Sequence, residues 1–535
     1  MPSGSQSGLL RVAEETGVGA FHLFWGGSLA TVLSAVCVIL VARLLGPELY
    51  GVYSLSLIVS GFLMLFTDFG VSQALTRFIA LHMSRGEQGC VIQLLKTGLM
   101  FSLAVSVTMF FVGFILTDQL TSLLIGRPEI AYLVKLTLLL LIVQPPSMLI
   151  GCALLGFGDM KGCAITDIIR QTIRALVSPL LIVLGLSVQG AVAGYVAASI
   201  AGFLACLTLL YKHYMRVRGS SLNHEEAEEN LASMLAYGLP LYLSTALQSF
   251  AATVRGMILA HFTTNFLIGN FNTAMNFAVL VTLISSPVAT ALFPAFSKLE
   301  GGEVKTMFTY SVKYSSALII PAAVFVSAMS RDLIFLFYGE SYSQAPLYLA
   351  LYAVTFLFAG LGSTVLGSFF SGVGDSKVNF KATLLYVGLF VPSAAALTGT
   401  LKVEGLIIAM IAATAASTIY SLWIANRKYS LIVDFKSSAK ICLAAFLAAA
   451  PVIFLAQHST LPGIAKIALG ALLYLLAYLT AAPLLKILTM EELETLTRIF
   501  TKVAILRLAA RAISIYEIKL MKFSERFKPY KAYCR

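Results

Sequence analysis

Apolar residues in this chain gather into long runs and do not alternate with polar ones. A run of about 20 residues, at 1.5 Å per helical residue, matches the roughly 30 Å of hydrocarbon in a bilayer. Fourteen such runs can be placed, at about 21–42, 51–75, 96–117, 131–155, 164–186, 191–211, 236–260, 271–295, 314–337, 347–370, 382–399, 406–425, 440–456 and 463–485. Gly, Pro and charged clusters punctuate them. The pattern predicts an all-α polytopic membrane protein with about 14 transmembrane helices. The longest polar connection, 212–235, reads as a linker between halves.

Basic residues set the expected orientation, because cytoplasmic flanks collect Lys and Arg. With the N-terminus inside, eighteen fall on cytoplasmic flanks up to Lys486 and six on outer ones, alternating loop by loop. Both termini are therefore expected in the cytoplasm, the protein crossing the plasma membrane many times. Composition agrees: 59% of residues are hydrophobic and 12% charged, against about 45–50% and about 25% in soluble domains. With a mean hydropathy of +0.89, a soluble enzyme is excluded. The net charge of +12 is not a nucleic-acid footprint, since no long segment is polar enough to fold into a basic surface. No outer loop is large enough for a membrane-embedded glycosyltransferase; LLGPELYG offers only Glu48. The seven cysteines have no metal or redox spacing and read as small apolar residues. Phe21–Ala42 is too long for a signal-peptide core, so it is expected to stay as a span.

The two sides of the linker repeat each other. Gly51 matches Gly269, Lys96 matches Lys313, Gly156 matches Gly372 and Gly190 matches Gly405, with an offset drifting smoothly from 218 to 215. The most specific pair is GFGDMK (Gly156 to Lys161) against GVGDSK (Gly372 to Lys377). Six spans per copy is an even number, so both copies enter the membrane the same way and can enclose a cavity that opens to each side in turn. The expected organisation is a cytoplasmic tail at 1–20, a six-helix bundle at 21–211, the linker at 212–235 and a second six-helix bundle at 236–425. Two additional helices at 426–485 and a basic cytoplasmic tail at 486–535 follow. The tail is expected to lie on the anionic leaflet.

No motif of soluble catalysis is present. The twin G-x-G-D-x-K loops lack the spacing of a phosphate loop and read as tight turns, and His224-Glu225-Glu226 is not a zinc-protease motif. No cofactor and no metal are expected. The informative residues are charges within spans, each costing about 2.5–3.5 kcal/mol at a helix centre unless it meets a partner or water. Asp167, Arg170 and Arg174 fall at i, i+3 and i+7, within about 60° of one helical face. Arg174 lies near the expected midplane. The stripe is either an anion site, for which arginine supplies bidentate donors, or a structural Asp–Arg pairing. Arg255 adds positive charge if it turns inward and is an anchor if it snorkels. Asp68, near an interface, is a pairing or ion-coupling candidate whose plainer role is a cap or interfacial salt bridge. Gln144, Gln248, Asn272 and Asn276 could offer hydrogen bonds to a sugar or simply join helices.

Some stretches have a familiar look: ARLLGPELYGVYSLSL, TDFGVSQALTRFIA, IGNFNTAMNFAVLV and FYGESYSQAPLYLALYA. They resemble the polysaccharide flippase branch of the multidrug/oligosaccharidyl-lipid/polysaccharide exporter superfamily, over roughly residues 20–430. The resemblance implies a flippase carrying a polyprenyl-(pyro)phosphate-linked oligosaccharide from the cytoplasmic to the outer leaflet by alternating access. It also implies a cationic lumen that would include Arg170, Arg174 and Arg255. Implied partners are the polyprenyl-linked glycan and membrane lipids, with H+ or Na+ and glycan-assembly enzymes left open and nucleic acid excluded. Val254 stands where the family commonly has Asp before the arginine, which puts ion coupling there in doubt. The alternatives are a cation-coupled multidrug antiporter, disfavoured because Phe21–Ala42 holds no acidic residue, and a non-transporting scaffold for glycan assembly.

Overall fold

The computed structural model describes residues 3–218, 231–298, 302–487, 489–500, 507 and 514–520. Among them there is no strand. In chain order the helices are α1 (Ser3–Met64), α2 (Val71–Arg85), α3 (Gln88–Ile115), α4 (Thr117–Ile125), α5 (Ala131–Thr137), α6 (Leu139–Gly156), α7 (Met160–Leu181), α8 (Ser187–Arg218) and α9 (Leu231–Phe262). They continue as α10 (Asn265–Phe296), α11 (Gly302–Ala328), α12 (Ser330–Tyr338), α13 (Ala345–Ala353), α14 (Ser363–Gly372), α15 (Ser376–Tyr429), α16 (Phe435–His458), α17 (Gly463–Leu484) and α18 (Met490–Phe500). Helix α1 begins at Ser3, inside the stretch expected as a cytoplasmic tail, because extending an existing helix costs little per residue once it is nucleated. The middle of the linker and most of the basic tail lie outside the described residues.

Nine helical stretches among the described residues are long and apolar enough to cross a bilayer, or ten if the bent pair Ala345–Leu361 and Ser363–Gly372 is one span. The sequence expectation of about 14 is larger for a physical reason. Trp25–Met64, Met160–Met215 and Ser376–Tyr429 each run through a break in helical geometry and take in all or most of each of two expected runs, or in the case of 51–75 its first part. Expected run 236–260 is covered by α9, which is not among the nine. The expected run 51–75 ends early: α1 stops at Met64, and a turn leads into α2.

The chain divides into two compact units, residues 1–276 with 390–406 and residues 277–389 with 407–535. In the first, α2, α3 and α6 pack around Val71, Leu75, Ile79, Leu94 and Ile150, with Met234 of α9 fully buried against them. In the second, Phe296, Phe308, Phe369 and Phe370 form the core, and α16 and α17 pack together as the expected additional pair. Helix α18 docks there through a bidentate contact of 2.7 Å between Lys313 Nζ and the Glu492 carboxylate. Both side chains are nearly buried.

The repeat reappears as matched geometry. In GFGDMK, Gly158 has φ +77° and the Asp159 N–H donates to Leu154 O; in GVGDSK, Gly374 has φ +80° and the Asp375 N–H donates to Phe370 O. Positive φ explains the second glycine of each motif. Each aspartate then holds the far end of the helix that closes its own copy. His213 Nε2 lies 2.9 Å from Asp159, and Lys428 Nζ donates to Asp375 at 2.6 Å. The chain also breaks at matched places, Ser187 (φ 47°, ψ −130°) and Lys402 (φ 51°, ψ −129°).

Candidate functional site

Arg174 is the centre of the site. It projects from α7 toward α1 and α8, the two helices α7 packs against most closely. Its Nη2 donates to the Tyr53 hydroxyl at 3.1 Å, and its guanidinium lies over the Tyr195 ring, 4.0 Å from the centroid. Tyr195 is held in turn by Gln144, whose amide donates to the Tyr195 hydroxyl at 3.0 Å and to Ser199 at 3.3 Å. A hydroxyl and a π-face replace part of the hydration an arginine loses when partly buried, and among the described residues further N–H donors on its edge have no hydrogen-bond partner.

Arg174 borders a cavity of about 390 Å³, together with Cys37, Tyr50, Tyr53, Asn272 and Asn276. Asn276 donates to the Tyr50 hydroxyl at 2.8 Å. A second cavity of about 240 Å³ is bordered by Arg255, Thr253 and Phe271. The two share Ser54, Leu57 and Asn272 on their walls. The Arg255 guanidinium stands 5.8 Å from the Phe271 ring centroid. Neither Arg174 nor Arg255 has a carboxylate within ion-pair distance among the described residues. The walls are thus cationic at two points, carry hydroxyls and amides at Ser54, Tyr50, Tyr53, Asn272 and Asn276, and are otherwise largely apolar, a surface that offers an anion bearing hydroxyl groups both charge and hydrogen bonds.

The other sequence candidates separate. Arg170 donates to Asp167 at 2.7 Å in an i,i+3 pair that is well exposed, so Asp167 orients Arg170 and not Arg174, and this pair borders neither cavity. Gln248 is exposed and also borders neither. Asp68 closes the turn before α2, accepting from the N–H groups of Gly70 and Ser72 at 3.1 and 3.2 Å and from the Ser72 hydroxyl. Tyr53, Tyr195 and Tyr50 were not singled out by the sequence. The available signal was a tyrosine inside an apolar run, whose hydroxyl needs a partner there.

Helices of this number and order define a class, that of all-α, multi-span membrane proteins. Over 87% of this chain and 98% of the other, the fold matches a lipid II flippase, MurJ, in an inward closed conformation, with a TM-score of 0.71 at 14% identity. Within that class the family is shown by sequence: residues 17–300 match the polysaccharide biosynthesis protein family, and the chain belongs to it. Among relatives, the lipopolysaccharide biosynthesis protein WzxC of Escherichia coli K12 is 23% identical over 68% of this chain and 70% of its own length. The stage V sporulation protein B of Bacillus subtilis 168 is 23% identical over 81% and 88%.

Proposed function

We propose that the protein is a flippase of the plasma membrane that moves a polyprenyl-(pyro)phosphate-linked oligosaccharide from the cytoplasmic to the outer leaflet, with both termini in the cytoplasm. The observation that carries this reading is Arg174, half-buried beside a cavity that carries hydroxyls and amides, with no carboxylate within ion-pair distance among the described residues. An uncompensated guanidinium in a low-dielectric surrounding is costly, and a phosphate arriving with its lipid removes that cost. Family membership and the relatives' names support the glycan part of the cargo. The six-helix copies at 21–211 and 236–425 would be the moving bodies in alternating access, while the lipid tail stays in the bilayer.

Leaflet-resolved transport of a labelled lipid-linked oligosaccharide by the purified protein in liposomes tests the proposal. Transport that falls about tenfold or more in Arg174→Ala at equal reconstitution is the expected result. A scaffold gives no transport, and an antiporter moves soluble organic cations instead; either outcome rejects the proposal.

A further inference from the structure

Away from the cavities, the turn between α2 and α3 gathers three side chains of a kind that bind metals. His82 stands at the end of α2, Glu87 is the N-cap residue of α3, and Cys90 is the third residue of that helix. His82 Nδ1 is in direct contact with a Glu87 carboxylate oxygen. The nitrogen, oxygen and sulfur atoms that could act as ligands all lie within 4.8 Å of one another. His82 and Cys90 are each 5% exposed, while Glu87 is partly open to solvent.

We propose that His82, Glu87 and Cys90 form a three-ligand site for a borderline divalent d-block cation, with zinc the representative ion, leaving a fourth position open. Zinc accepts imidazole, carboxylate and thiolate at about 2.0–2.3 Å in a tetrahedron, so ligand atoms already this close need only small rotations to converge. The backbone favours convergence. Gly86, with φ +77°, turns the chain sharply, and the Glu87 N–H donates to His82 O at 3.0 Å. The Glu87 side chain makes no capping bond to α3, although it occupies the capping position; it folds back onto His82 instead. Cys90 lies in the first turn of a 28-residue helix, which places its sulfur beside the Glu87 carboxylate and the His82 ring. Binding ties the end of α2 to the start of α3. The site does not depend on the transport reading.

The test uses the full-length protein in detergent, stripped by a chelator and titrated with Co2+ as a spectroscopic probe. One tightly held equivalent is expected, with tetrahedral d–d bands and a thiolate-to-cobalt charge-transfer band, displaced by Zn2+. Cys90→Ser should abolish the charge-transfer band, and His82→Ala should weaken binding by about tenfold or more, whereas Cys163→Ser changes neither. Glu87→Gln keeps a hydrogen-bonding partner for His82 and guards against misfolding; it should weaken Co2+ binding while leaving the metal-free melting temperature near that of the parent. A charge-transfer band that survives Cys90→Ser, or a parent protein binding no more Co2+ than the His82→Ala/Cys90→Ser double variant, overturns the proposal.

Discussion

Arginine cannot shed its proton to escape a low-dielectric surrounding, so its neighbours decide whether it is tolerated. Around Arg174 those neighbours are Tyr53 and Tyr195, with Gln144 steadying the second ring. A desolvated cation–π contact is worth about 2 kcal/mol. Tyr195→Ala is therefore expected to lower the transport rate by about tenfold, measured in the same liposome assay, while Tyr195→Phe, which keeps the ring and loses only the bond from Gln144, should stay within about threefold. Equal losses in both variants would place the effect on the hydroxyl. The sequence makes Arg174 visible because a permanent charge stands out in an apolar run. It does not separate Arg174 from Arg170, since periodicity says which residues share a face and not what that face meets. Arg170 finds Asp167 one turn away in the exposed part of the stripe, and Arg174, one turn deeper, meets aromatic rings from other helices. Those rings come from residues 121 and 21 positions away in sequence, a proximity only folding creates.

At the scale of elements, short acidic turns organise the helix ends outside the spans. Asp159 caps α7 by accepting from the Gly162 N–H at 2.8 Å, and Asp434 caps α16 through Lys436 and Ser437. The bond from Lys428 holds the Asp375 carboxyl below its ordinary value, and the Ser437 hydroxyl does the same for Asp434. A carboxyl depressed on folding stabilises the fold above the unfolded value and loses that contribution as pH falls through the folded one. The melting temperature in detergent should therefore hold steady from about pH 7 to 5 and drop below about pH 4, and Asp375→Asn should flatten part of that drop. Asp434→Ala should cost about 0.5–2 kcal/mol, read from denaturant or thermal unfolding at neutral pH. The twin motifs were legible as turns from glycine spacing alone. That each aspartate reaches across to a side-chain nitrogen near the end of a later helix was not, because His213 and Lys428 share no residue type.

For the chain as a whole, the duplication was the most legible feature, since it is written in offsets that need no structure to read. Its physical content lies in close packing. A Cβ on Gly51 would strike the backbone of Asn265, and one on Gly269 would strike the backbone of Pro47, so residues matched by the same offset of 218 meet reciprocally. Backbone cannot swing aside as a side chain can. Gly51→Ala and Gly269→Ala should each destabilise by about 1–3 kcal/mol, and the double variant should cost less than the two together, because both force apart the same pair of helices. Fully additive losses in thermal unfolding would contradict that coupling. The kinks at Ser187 and Lys402 carry a different lesson. Each puts a residue other than glycine at positive φ, at a cost of about 1–3 kcal/mol, and two unrelated side chains bear the same burden 215 positions apart. A costly bend of the same dihedrals at both places persists only where the surrounding packing over-determines it, so straightening either one means remaking the contacts of two helices and not of a single residue.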